Sequence, residues 1–76
     1  MKNIKQLIIA ADTLLKTNVD VDAFRSWEKS SLLALVALLG PLHYYTENFG
    51  LFTREKNRRG LLAGTRILTA VQEQFA

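Results

Sequence analysis

Apolar positions repeat at helical spacing almost from the first residue. Ile4, Leu7, Ile8, Ala11 and Leu15 fall at i, i+3, i+4, i+7 and i+11, a single stripe, while Lys2, Lys5, Asp12 and Lys16 lie away from it. Asn3 can accept from a free first-turn N–H, and Gln6 three residues on completes a capping-box pair. A first helix is therefore predicted from Asn3 to about Lys16. Ile9 and Leu14 widen its apolar face, and Thr17-Asn18 ends it, with Asn18 suited to the left-handed end position.

A second helix starts at Asp20, a good N-cap. Val19 before it and Phe24 within the first turns form a hydrophobic staple, and Asp22 adds negative charge where the helix dipole favours it. The first half of this helix is amphipathic, setting Ala23, Phe24, Trp27 and Ser31 against Arg25, Glu28 and Lys29. Its second half is not: Leu32–Leu39 are eight apolar residues in a row, within a stretch, Ser30–Tyr45, that has no formal charge when His43 is neutral. A buried strand is the alternative, but Leu and Ala favour helix and Val36 is the one β-branched residue in the run. Gly40 and Pro41 stop the helix at about Leu39.

Pro41 fits the first turn of a short third helix, about Pro41–Asn48, because its missing N–H has no intrahelical partner there. Leu42, Tyr45 and Phe49 share one side of it, and Gly50 is expected to break the chain. Thr53 is a candidate N-cap for a last helix running from Thr53 or Arg54 to Gln74, with Glu55 in its first turn. Leu61, Gly64, Leu68, Val71 and Phe75 form its stripe, Ile67 widens it, Arg66, Thr69 and Glu73 lie off it, and Leu62 is expected to be partly exposed. Gly60 and Gly64 make a small-xxx-small spacing that lets two helix backbones approach closely. No repeat, low-complexity segment or linker interrupts this pattern. The expectation is an all-α fold: a small helical bundle of three longer helices and one short one, a single domain over 1–76, completed by dimerisation.

Dimerisation follows from burial. A helix apolar on every side is central in a bundle or lies at an oligomer seam. With 76 residues the chain buries roughly 60% of its unfolded surface, and small chains add disulfides, a metal or a partner subunit. There is no Cys. The remaining route is a homodimer with the second and fourth helices at the seam, expected at Leu32, Leu35, Val36, Leu39, Gly60, Gly64, Leu68 and Val71.

Charge sharpens the other end of the chain. The net charge is +3, yet residues 1–50 hold five basic and five acidic groups. The excess sits in 51–76, where Arg54, Lys56, Arg58, Arg59 and Arg66 face only Glu55 and Glu73. Basic charge at a helix start opposes the macrodipole, so it is not there for helix stability. Such a patch attracts anionic partners, though it is smaller than the footprint of a dedicated nucleic-acid binder. Tyr44 and Tyr45 diverge by about 100° on a helix, so both cannot face one core, and an outward Tyr suits a protein interface.

Catalytic chemistry has little support. His43 and Glu47 stand at i and i+4, but this is the only His in a Cys-free chain, and zinc takes three or four ligands. The reading adopted is a His at the core edge hydrogen-bonded to Glu47, with no metal and no cofactor. Ser30 and Ser31 are separated from His43 by the Pro41 break, and no phosphate-binding glycine loop or carboxylate pair is present. Asp20 and Asp22 serve as capping groups.

No secretory signal is visible, since Leu7–Ala11 is shorter than the ~7–15 residues of a signal core. Leu32–Leu42 falls short of the ~20 residues of a membrane span, so a membrane partner is not expected. The absence of Cys fits a cytoplasmic protein.

Together these features predict a non-enzymatic protein–protein interaction module (an adaptor, regulator or inhibitor) docking through Tyr44, Tyr45 and Phe52 with a rim of Arg54, Lys56, Arg58 and Arg59. Its partners are a second copy and a second protein. The alternative is a nucleic-acid-binding regulator using residues 54–59. The third is a membrane-associated protein using Leu32–Leu42.

Overall fold

The computed structural model describes residues 3–17 and 19–75. Lys2, expected off the first apolar stripe, and Asn18, expected at the left-handed helix end, lie outside the described residues. The fold is all-α, with α1 at Ile4–Lys16, α2 at Val21–Leu39, α3 at Tyr44–Phe52 and α4 at Arg58–Phe75. Each helix packs on its sequence neighbours, and α1 closes the ring against α4.

The starts of the first two helices follow local chemistry. The Gln6 N–H donates to Asn3 Oδ1 at 2.8 Å and the Asn3 N–H donates to Gln6 Oε1 at 3.1 Å, the reciprocal capping box. The Asp22 N–H donates to Asp20 Oδ1 at 3.3 Å. Gly40 ends α2 at φ 93° and ψ 159°, a conformation open to glycine and costly for residues with a Cβ.

Trp27 anchors the interior. Its indole N–H donates to the Leu7 carbonyl at 2.9 Å, tying α2 to α1. The ring meets Phe24 edge-on and Phe49 at a tilt, each with centroids 5.6 Å apart. Leu7, Leu35, Leu61, Leu68 and Val71 are fully buried around this group. Gly64 lies beneath it: a Cβ there would stand 2.9 Å from Trp27, 2.7 Å from Thr53 and 3.0 Å from Phe49.

That packing corrects the expected seam. The close approach allowed by Gly60 and Gly64 is made within the chain, since a Cβ on Gly60 would fall 2.0 Å from the Glu55 carbonyl oxygen. Leu35, Gly60, Gly64, Leu68 and Val71 are buried in the chain's own core and offer nothing to a second copy. Leu32 and Leu39 are half-buried, and Val36 alone of the eight is exposed. The run 32–39 is also covered on one side only, because Leu33, Val36, Ala37 and Leu38 are exposed. No helix of the described residues is long and apolar enough to cross a membrane.

The last two helices depart from their predicted limits. Pro41 lies in a turn rather than a helix, and α3 starts at Tyr44 with His43 as N-cap. Gly50 does not break α3: Phe49, fully buried, holds the helix through it to Phe52. Packing outweighs the roughly 1 kcal/mol that a mid-helix glycine costs. Thr53 ends α3 instead of starting α4. Its hydroxyl donates to the Glu28 carboxylate. Lys56 Nζ spans both Glu28 oxygens at 2.8 Å, donates to the Thr53 carbonyl at 2.7 Å and sits 5.5 Å from the Phe24 ring centre. With Thr53 occupied, Asn57 caps α4: the Gly60 N–H donates to its side chain at 3.1 Å and the Leu61 N–H to its carbonyl at 3.0 Å. Glu55, expected in the first turn of α4, therefore lies in the connection before it.

Candidate functional site

A groove of about 710 Å³ lies between α3 and α4. Tyr44, Tyr45, Asn48 and Phe52 form one wall, and Leu62, Ala63, Ile67 and Ala70 form the other. Arg58, Arg59 and Arg66 complete the lining, and no carboxylate belongs to it. Tyr44 is 71% exposed, Phe52 51% and Leu62 44%. The floor is apolar, the rim is cationic, and nothing anionic in the lining neutralises it.

The helical register places these groups. Arg58, Leu62 and Arg66 recur every four residues, one line along α4, while Arg59, Ala63, Ile67 and Ala70 run beside it. On the opposite wall, the Tyr44 and Tyr45 rings meet nearly edge-on at 5.8 Å. Tyr45 is held from behind by His43, stacked on it at 5.5 Å. The divergence of the two tyrosines is present as expected: Tyr44 faces outward and Tyr45 is half-buried.

His43 does not bond to Glu47 as expected. Its Nδ1 accepts from the Tyr45 N–H at 3.1 Å, capping α3, and its ring meets Phe75 edge-on at 6.0 Å. A side chain that caps the helix start has its ring nitrogen turned toward the backbone, away from the i+4 position. Among the described residues no three His, Cys, Asp or Glu side chains are grouped as metal ligands would be.

The structure divides the basic segment 54–59. Arg58 and Arg59 line the groove, and Arg58 also donates to the Leu15 carbonyl at 3.0 Å. That carbonyl belongs to the last turn of α1, where the dipole favours a cation, so Arg58 helps to fix α4 to α1. Lys56 is engaged by Glu28 and does not line the groove. Arg54 lies around the edge, in a smaller depression with Leu51, Glu55 and Gly60. Of the seven docking residues expected from sequence, the groove brings together Tyr44, Tyr45, Phe52, Arg58 and Arg59.

Arg66, Leu62 and Asn48 are groove residues that the sequence reading did not select. Arg66 lies off the core stripe of its helix and reads as an ordinary solvated cation. Its spacing of four residues from Leu62 and eight from Arg58 was the available signal. The chain matches no protein-family model, and no curated protein or solved structure is similar enough to count as a relative.

Proposed function

We propose that this protein is a non-enzymatic interaction module, a small adaptor, regulator or inhibitor, whose α3/α4 groove docks an acidic amphipathic helix of a partner protein. The observation that carries this reading is the groove lining itself: aromatic and aliphatic walls, three guanidinium groups and no carboxylate. Both walls are helices whose backbone groups bond internally, so the groove offers no edge for an added strand. The recognition mode that fits is a helix laid into a groove, anchored by apolar side chains at i, i+3, i+4 and i+7. From Arg58 to Ala70 the α4 wall extends about 18 Å at 1.5 Å per residue, the length of a partner helix of roughly 12 residues. Glu or Asp flanking the partner's apolar stripe would meet Arg58, Arg59 and Arg66, which fix orientation and speed encounter. The Cys-free chain is placed in the cytoplasm on this reading.

The test uses labelled helical peptides carrying one apolar stripe flanked by Glu, with Lys-flanked counterparts, titrated with the full chain at about 50 and about 500 mM salt. Preference for the acidic peptides, lost in Leu62→Asp and weakened in Arg66→Glu, supports the reading. Equal binding of acidic and basic peptides, or acidic binding unchanged in Leu62→Asp, overturns it. A short duplex DNA serves as a competitor. Steeply salt-dependent DNA binding that Arg58→Ala and Arg59→Ala abolish, with no peptide preference, would assign the cations to a nucleic acid instead.

A further inference from the structure

The groove leaves the outer side of α2 unexplained. Lys29, Leu33, Val36 and Ala37 are all exposed and fall at i, i+4, i+7 and i+8, one line along the helix. Leu33 is 55% exposed and Val36 40%. The apolar members of that line, Leu33, Val36 and Ala37, make a narrow strip of the kind one helix sets against another, rather than a broad face seated on a sheet.

We propose that this stripe is a self-association surface: two copies of the chain pack α2 against α2 antiparallel, about a two-fold axis that sets Leu33 of each copy against Val36 of the other. Charge selects the occupant. Between Lys29 and Glu47 the chain carries no Asp, Glu, Lys or Arg, so the centre of the seam brings no like charges together in a symmetric pair and gives a charged partner nothing to recognise. The ends are complementary as well. In this register Lys29 of one copy lies opposite residue 40 of the other, at the C-terminal end of α2. That end has no basic residue in its last turn. Among the described residues no donor meets the carbonyls of Ala37, Leu38 and Leu39, since the Gly40 N–H goes to Val36 and the His43 N–H to Gly40. A helix C-terminus favours a cation, and unpaired carbonyls need donors. Each Lys29 ammonium supplies both. Two-fold symmetry makes the contact twice, as an isologous interface requires. This surface keeps Val36 of the seam expected from sequence and leaves out its glycines, which are spent inside the chain.

Sedimentation equilibrium of the full chain from about 5 to about 500 µM reads the outcome, because self-association depends on concentration. A concentration-dependent dimer is expected for the parent chain. Leu33→Glu and Val36→Lys are each expected to weaken it by about a hundredfold or more, since each buries an unpaired charge at the axis. Lys29→Glu weakens it by about tenfold through the helix ends. An equimolar mixture of the Leu33→Glu and Val36→Lys chains restores association, because the carboxylate introduced in one chain then meets the ammonium introduced in the other. All these positions are exposed, and a far-UV spectrum matching the parent shows that each variant is folded. A parent chain monomeric throughout the range overturns the proposal, as does a dimer that Leu33→Glu leaves intact. Two monomeric variants that fail to associate when mixed overturn the antiparallel register.

Discussion

Gly60→Ala separates packing inside the chain from packing between chains. The added Cβ would stand 2.0 Å from the Glu55 carbonyl oxygen and 3.1 Å from its carbon, so backbone must move. Overpacking of this kind costs about 1–3 kcal/mol. Replacing glycine in a helix returns up to about 1 kcal/mol of propensity. The displaced connection also carries Lys56, whose bonds to Glu28 and Thr53 then loosen. The net loss is placed at about 2 kcal/mol, a fall in Tm of about 8–16 °C for a domain of this size. At Gly64 an added Cβ would stand 2.7 Å from Thr53, 2.9 Å from Trp27 and 3.0 Å from Phe49, all buried side chains that must shift to admit it. Gly64→Ala is therefore expected to cost about 1–3 kcal/mol as well. The assay is thermal unfolding followed by circular dichroism at two protein concentrations tenfold apart. The difference between each variant and the parent should be the same at both. A Gly60→Ala chain as stable as the parent refutes the reasoning. So does a deficit that changes with concentration, which would return the glycines to a seam between copies.

Two further substitutions probe how the connections are held. Glu28→Gln keeps the shape but removes the charge that Lys56 spans. Because the pair is partly open to solvent, the loss is set at about 1 kcal/mol, read as a lower urea midpoint with the slope unchanged; an unchanged midpoint would show that the contact adds nothing. Gly40→Ala meets no atom within 4 Å, yet it is expected to cost about 1–3 kcal/mol, because φ 93° with ψ 159° is a region kept almost entirely to glycine. A melt coincident with the parent's would show that the turn relaxes freely.

The fold was most legible where its determinants are local. Asn3 with Gln6, and Asp20 with Asp22, act within three residues, and both helix starts follow from the letters alone. The start of α4 was missed because Thr53, a sound N-cap by type, is captured by Glu28 from 25 residues away. Nothing in the sequence near Thr53 announces that contact. Gly50 misled for a related reason: its cost is local, but the burial of Phe49 that outweighs it is tertiary. The glycine spacing correctly indicated a close approach, but a spacing cannot say whose atoms approach. In the groove, the divergence of Tyr44 and Tyr45 was readable from one helical step. Arg66 was not, because its significance depends on α3 leaving that side of α4 open.

The two exposed apolar regions divide by their charge. Around the groove, three arginines without a lining carboxylate would repel a second copy of the same rim, so a symmetric contact there is disfavoured and an acidic partner is favoured. Along α2 the reverse holds: beyond Lys29 the stripe is uncharged and gives an acidic partner no cationic ring to recognise, while a like copy meets no repulsion at its centre. If both surfaces act as proposed, the dimer would present two grooves, and a partner with two acidic helices would gain from engaging both through effective concentration. That coupling is measurable. A tandem acidic peptide with a linker long enough to span the grooves should bind the parent more tightly than the single peptide does. The advantage should vanish in Leu33→Glu, whose groove is untouched. An advantage that persists in the monomeric variant would break the link between the two surfaces while leaving the groove itself in place.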